Sequence, residues 1–145
     1  MDTITQSLIT LVIGGFFGGV IKSLLDYRSQ VFSHLWEKRM TAYSGIWKLM
    51  KEFPLWPRVN NVTYSTLYGM SHAMKEWYFD SGGILMSEKT RNAYGNLQEE
   101  INANILAGKK PEDFVDPLEY NRIQKLCSGV RTEMTRDLLS RKKLI

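Results

Sequence analysis

The chain has a single cysteine, Cys127, so no disulfide can close within it, and that fits a reducing compartment. It has two histidines, His34 and His72, and neither has a Cys, Asp or Glu at metal-ligand spacing. No glycine-rich loop precedes a Lys-Ser/Thr pair, and no serine or cysteine sits in a recognisable nucleophile context. The acidic pairs Glu99-Glu100 and Glu112-Asp113 read as solvated. These absences argue against an enzyme, and they call for no cofactor and no metal. The four prolines fall at 54, 57, 111 and 117, leaving Val20 to Phe53 without one. Strand-like alternation, internal repeats and low-complexity stretches are also missing, so the expected fold class is all-α.

The last absence is of charge. Residues 3–21, TITQSLITLVIGGFFGGVI, carry no ionisable side chain. As a helix they would reach about 28 Å, close to the hydrocarbon thickness of a bilayer. Met1-Asp2 is acidic and no small-residue cleavage site follows, which speaks against a cleaved signal peptide. The expected organisation is a transmembrane helix over residues 1–25 and a cytoplasmic helical domain over 26–145. Lys22, Arg28, Lys38 and Arg39 lie on the C-terminal side of the apolar run, against none before it. The positive-inside rule then places the chain in a cell inner membrane, single-pass, with its N-terminus outside.

Spaced 100° apart, Thr3, Gln6, Ser7, Thr10, Gly14, Phe17, Gly18 and Ile21 share one side of that helix. Polar and small residues in a span face protein or water. Gln6, Thr10, Gly14, Phe17, Gly18 and Ile21 are therefore the expected helix-interface or pore-lining positions, with Phe17 and Ile21 as an apolar constriction. The expected partners are the bilayer and further copies of the same chain, four or more.

Beyond the span, Leu24, Val31, Leu35, Ile46, Trp47 and Met50 recur at helical spacing, so one helix should run on to just before Pro54. A second helix is expected over 62–79. The Asp80-Ser81-Gly82-Gly83 stretch should break it, as a tight turn needing φ > 0 or as an anion-binding nest. Ser87 should cap a third helix over 88–107 that stops at Gly108. The fourth should start at Asp116, with Pro117 at its first position and Glu119 at the capping-box position, and run to about residue 142. Together these make a bundle of about four helices. Trp36, Trp47 and Trp77 are expected to pack in its core.

Residues 1–116 carry twelve basic and twelve acidic groups, and residues 117–145 carry seven and three. The net +4 thus lies wholly in the last helix and tail. Ile123, Leu126, Cys127, Val130, Met134 and Leu138 should form its apolar face. Arg122, Lys125 and Arg136 fall on the opposite side and are the expected ligand-binding residues, a ridge for phosphates or anionic headgroups.

The segments WEKRMTAYSGIWKLM (Trp36 to Met50) and WYFDSGGILMS (Trp77 to Ser87) resemble patterns in small bacterial proteins with an N-terminal span and a helical cytoplasmic domain. In layout the chain resembles single-span membrane effectors of bacterial anti-phage defence systems, the Hailong channel subunit among them. That resemblance implies a homo-oligomeric ion channel or pore gated by an anionic ligand, a nucleotide or oligonucleotide. The alternative expectation is a non-conducting anchor or scaffold for a cytoplasmic partner protein.

Overall fold

The structure is a computed structural model. It describes the backbone of residues 3–59 and 61–139, and side chains at residue 19 and over 21–59 and 61–139. The described chain is helical, with an isolated antiparallel bridge between Thr63 and Phe114 as its only extended pairing. Four α-helices follow in order: α1 (Thr3–Leu49), α2 (Tyr64–Trp77), α3 (Glu88–Glu99) and α4 (Pro117–Leu139). The all-α expectation holds. The chain divides into two compact units, residues 1–36 and 37–145.

In the first unit the chain is part of α1. Its described apolar side chains Ile21, Leu24, Leu25, Val31 and Phe32 are exposed, Leu24 at 60% and Val31 at 47%. Among the described residues no helix is long and apolar enough to cross a membrane. The candidate span falls almost wholly on residues whose side chains lie outside the described set.

The second unit has a closed core. Tyr43, Ile46, Met50 and Phe53 enter it from the end of α1 and the turn beyond. From α2 come Tyr64, Leu67, Met70 and Met74, and from α3 Tyr94 and Leu97. On α4, Ile123, Cys127, Val130 and Met134 are buried, and Leu126 and Leu138 pack at its edge. The spacings are threes and fours, as an amphipathic helix requires, and the α4 face matches expectation. Trp47 departs from it: at 48% exposed it lies outside the core. Ile46 and Met50 already fill the inward positions of that turn, and Trp47 is 100° away from Ile46.

Helix starts follow their sequence signals. Thr63 Oγ1 accepts the Thr66 N–H at 3.3 Å, and Ser87 Oγ accepts that of Thr90 at 3.3 Å. Asp116 Oδ1 accepts the Leu118 N–H at 2.8 Å. The capping box around it is rearranged. The Asp116 N–H donates to the Tyr64 hydroxyl at 3.3 Å, and that hydroxyl donates to Glu119 Oε2 at 2.5 Å. A tyrosine from α2 thus sits between the two members of the box, tying the start of α4 to the start of α2.

The expected break at Gly82-Gly83 does not occur. The chain continues from α2 as a π-helical segment, Tyr78–Gly82, and a 3₁₀ turn, Gly83–Leu85. Gly82 has φ −82° and Gly83 φ −61°, both right-handed. Neither the positive-φ turn nor an anion nest forms. The glycines answer to sterics instead. A Cβ on Gly82 would fall inside the Trp77 indole, and one on Gly83 would lie 2.8 Å from the Tyr78 carbonyl oxygen. The third helix likewise ends early as α-helix and passes into a π-helical segment, Glu100–Ile105. Gly108, at φ +71°, then supplies the left-handed residue after the helical end.

Candidate functional site

Three polar assemblies on α4 were candidates for function, and the residues around each decide between them. The first is the basic ridge. Arg122 Nη1 lies 3.1 Å from Glu100 Oε1, close enough for an ion pair though not aligned as a hydrogen bond. Arg136 pairs with Glu133 one turn before it. Lys125 is exposed, and among the described residues no carboxylate partners it. Two of the three expected ligand-binding cations therefore already face a glutamate. Of the six expected span positions, Gln6, Thr10, Gly14, Phe17 and Gly18 lie outside the residues with described side chains, and Ile21 is 56% exposed.

The second assembly centres on Asp137. Its Oδ2 accepts from the Tyr43 hydroxyl at 2.7 Å, the Thr90 hydroxyl at 2.8 Å and the Ser87 backbone N–H at 3.1 Å. Partial burial pulls this carboxyl upward. The hydrogen bonds from Ser87, Tyr43 and Thr90 outweigh that pull and hold it below the usual carboxylate range. Burial, reinforced by the bond to Asp137, pushes the Tyr43 phenol well above its ordinary value. Arg39 Nε donates at 2.8 Å to the Leu85 carbonyl beside this junction. Asp137 thus joins α1, the start of α3 and α4. With Tyr43, Thr90 and Ser87 all donating to one carboxylate oxygen, the cluster is a clamp.

The third assembly was not foreseen. Tyr120, Gln124 and Arg131 stand at i, i+4 and i+11 on α4, one face of the helix. All three donate to carbonyls of the segment that follows α1. Tyr120 OH reaches Glu52 O at 3.2 Å, and Gln124 Nε2 reaches Pro54 O at 2.6 Å. Arg131 Nη2 reaches Met50 O at 2.6 Å and Phe53 O at 3.0 Å. These carbonyls lie just beyond the end of α1, and Met50 O also accepts the Phe53 N–H at 3.1 Å. The segment is held against α4, yet Leu55 and Trp56 project from it, Trp56 at 81% exposed. Between them and α4 lies a cleft of about 600 Å³. Trp47, Trp56, Lys48, Lys51 and Arg131 line it, with the hydroxyls of Ser128, Thr132 and Thr135 on the α4 side. Arg131 lies 5.7 Å from the centre of the Trp47 ring. Among the described residues no acidic side chain lines the cleft.

The remaining polar residues offer less. Burial pushes the Cys127 thiol up to about 12, which leaves it a protonated core group. His72 faces Glu76 one turn on at 3.6 Å on the surface of α2. Among the described residues no group of three or more His, Cys, Asp or Glu could hold a metal ion. The signal for the third assembly was present in sequence only as polar residues interrupting α4 at helical spacing, with nothing to name the carbonyls they serve. No protein-family model, curated protein or solved structure matches the chain.

Proposed function

We propose that the chain is a homo-oligomeric, single-span membrane effector, an ion channel or pore gated by an anionic ligand at its cytoplasmic helical domain, acting in anti-phage defence. The observation that carries this reading is the apolar face of α1 in the first unit. Ile21, Leu24, Leu25, Val31 and Phe32 fall within about a third of the helix circumference and are exposed. They continue the uncharged run of residues 3–20 without a break in the helix. Such a stripe closes when copies of the same helix bundle around it, and small residues upstream allow close approach. The cations of the second unit support an anionic ligand.

The test is reconstitution into liposomes together with sizing in detergent. A defined assembly of four or more subunits that releases trapped ions supports the channel. A monomer, or an assembly that passes no ions with or without nucleotides, ends it.

The anchor or scaffold reading has its own support in Phe79 and Ile84, two exposed apolar residues on the segment after α2. Under that reading Thr10→Leu and Phe17→Ala leave function unchanged, whereas a pore changes its conductance.

A further inference from the structure

We propose that the cleft between Trp47, Trp56 and α4 is a nucleotide-binding site, in which the base stacks on tryptophan and the phosphate sits among Lys48, Lys51 and Arg131. This deepens the anionic-ligand part of the proposed function and rests on that part alone. It does not require that the protein conducts.

Aromatic walls, a cationic lining and a set of hydroxyls select this ligand chemistry. The walls carry two indole rings, one of them on a segment that α4 holds by three side chains. An exposed tryptophan on a secured backbone presents its face at little conformational cost. Among the described residues the lining has three cations and no acid, so its field favours an anion. Lys51 is itself exposed, and the part-buried Glu52 beside it lies 3.6 Å away and offsets part of its charge. Lys48 and Arg131 have no carboxylate partner among the described residues, whereas on the basic ridge Arg122 and Arg136 both do.

The hydroxyls supply the polar remainder. Thr132 Oγ1 donates to Ser128 O at 2.9 Å, and Thr135 Oγ1 donates to Arg131 O at 2.8 Å. Their protons are committed within the helix, so their oxygens offer lone pairs. Those lone pairs suit a ligand with hydroxyl or amino donors, such as a ribose or an exocyclic amine. An aromatic ring, a dianion and a set of donors in one molecule of this size describe a nucleotide. The volume also lies in the range of small-molecule sites. Purely apolar ligands would leave the cations unmatched, and inorganic phosphate would leave the rings bare.

The experiment is titration of the full chain in detergent with AMP, adenosine and inorganic phosphate, read by calorimetry and by tryptophan emission. AMP should bind more tightly than either fragment, and raised salt should weaken it. Trp56→Ala should weaken AMP roughly tenfold or more, since stacking on one ring carries that much. The exposure of Trp56 leaves the fold out of the measurement, and an unchanged melting temperature checks this. Lys51→Ala should weaken AMP and flatten the salt dependence, while Lys89→Ala, outside the cleft, should leave binding unchanged.

The proposal is overturned if AMP does not bind at millimolar concentration, or if Trp56→Ala and Lys51→Ala bind it as the parent does. It is equally overturned if Arg122→Ala abolishes binding and the cleft variants do not. A tryptophan blue shift with phosphatidylglycerol vesicles that AMP cannot reverse would mark the cleft as a lipid-facing surface, and also ends it. A protein that binds AMP through Trp56 but passes no ions keeps the cleft and loses the channel.

Discussion

The stretches 21–36 and 37–49 belong to one helix and share one pattern, yet their apolar residues have opposite fates. Leu24 and Val31 are exposed, while Tyr43 and Ile46 are buried, as is Met50 in the turn beyond. The difference is one of partners. Around residues 43–53, three further helices supply facing side chains, and the polar groups of α4 supply donors for the carbonyls at the helix end. Periodicity therefore specifies a helix and a face in both places, and burial in one. Among the described residues of the first unit, no second element faces that stripe.

Placing a charge on each stripe is the strongest way to break that contrast. Ile46→Asp should cost about 4 kcal/mol or more, by burying an unpaired carboxylate, and abolish the cooperative melt of the second unit. Leu24→Asp and Val31→Asp should leave that melt in place and reduce the assembled fraction in detergent sizing. If Leu24→Asp also melts the bundle, the two stretches are not distinct.

The Asp137 clamp sharpens the comparison from the second unit's side. Asp137→Ala should cost about 3 kcal/mol, since three donors lose a charged acceptor. Because the folded carboxyl is held below its unfolded value, its contribution is fully present above the unfolded pKa, near 4. It is lost as pH falls through the lower folded value. Urea midpoints of the parent and Asp137→Asn should therefore converge as pH drops below about 4, and stand apart at neutral pH.

Gly82→Ala should be smaller, at about 2 kcal/mol, because the new methyl must displace the Trp77 ring. The loss should appear in the thermal midpoint, together with a change in near-UV dichroism from the moved indole. Smallest of all is Lys125→Ala, an exposed change that should alter stability by less than about 0.5 kcal/mol. Its place in the comparison is as the surface baseline for the other variants.

Much of the bundle was legible residue by residue. Ser87, Asp116 and Gly108 mark helix ends through chemistry that is local in sequence, and each stands where that chemistry puts it. The α4 core face was legible because one period governs it. What depends on distant neighbours was not. The role of Gly82 is set by where the Trp77 ring comes to lie, and its φ gives no hint of it. The roles of Arg131 and Gln124 depend on carbonyls 70 to 81 positions away, which are invisible to any window on the sequence. Trp47 has the hydrophobicity of a core residue and the angular position of a cleft residue, and only the second decided its place.

One guanidinium holds two carbonyls, those of Met50 and Phe53, three residues apart beyond the end of α1. Helix ends ordinarily fray one residue at a time, each step giving up one bond. Here the backbone just past α1 is pinned by two Arg131 bonds, so unwinding that proceeds inward from this end has to give up both before it reaches Leu49. The end of α1 is therefore harder to open than a helix end left to water.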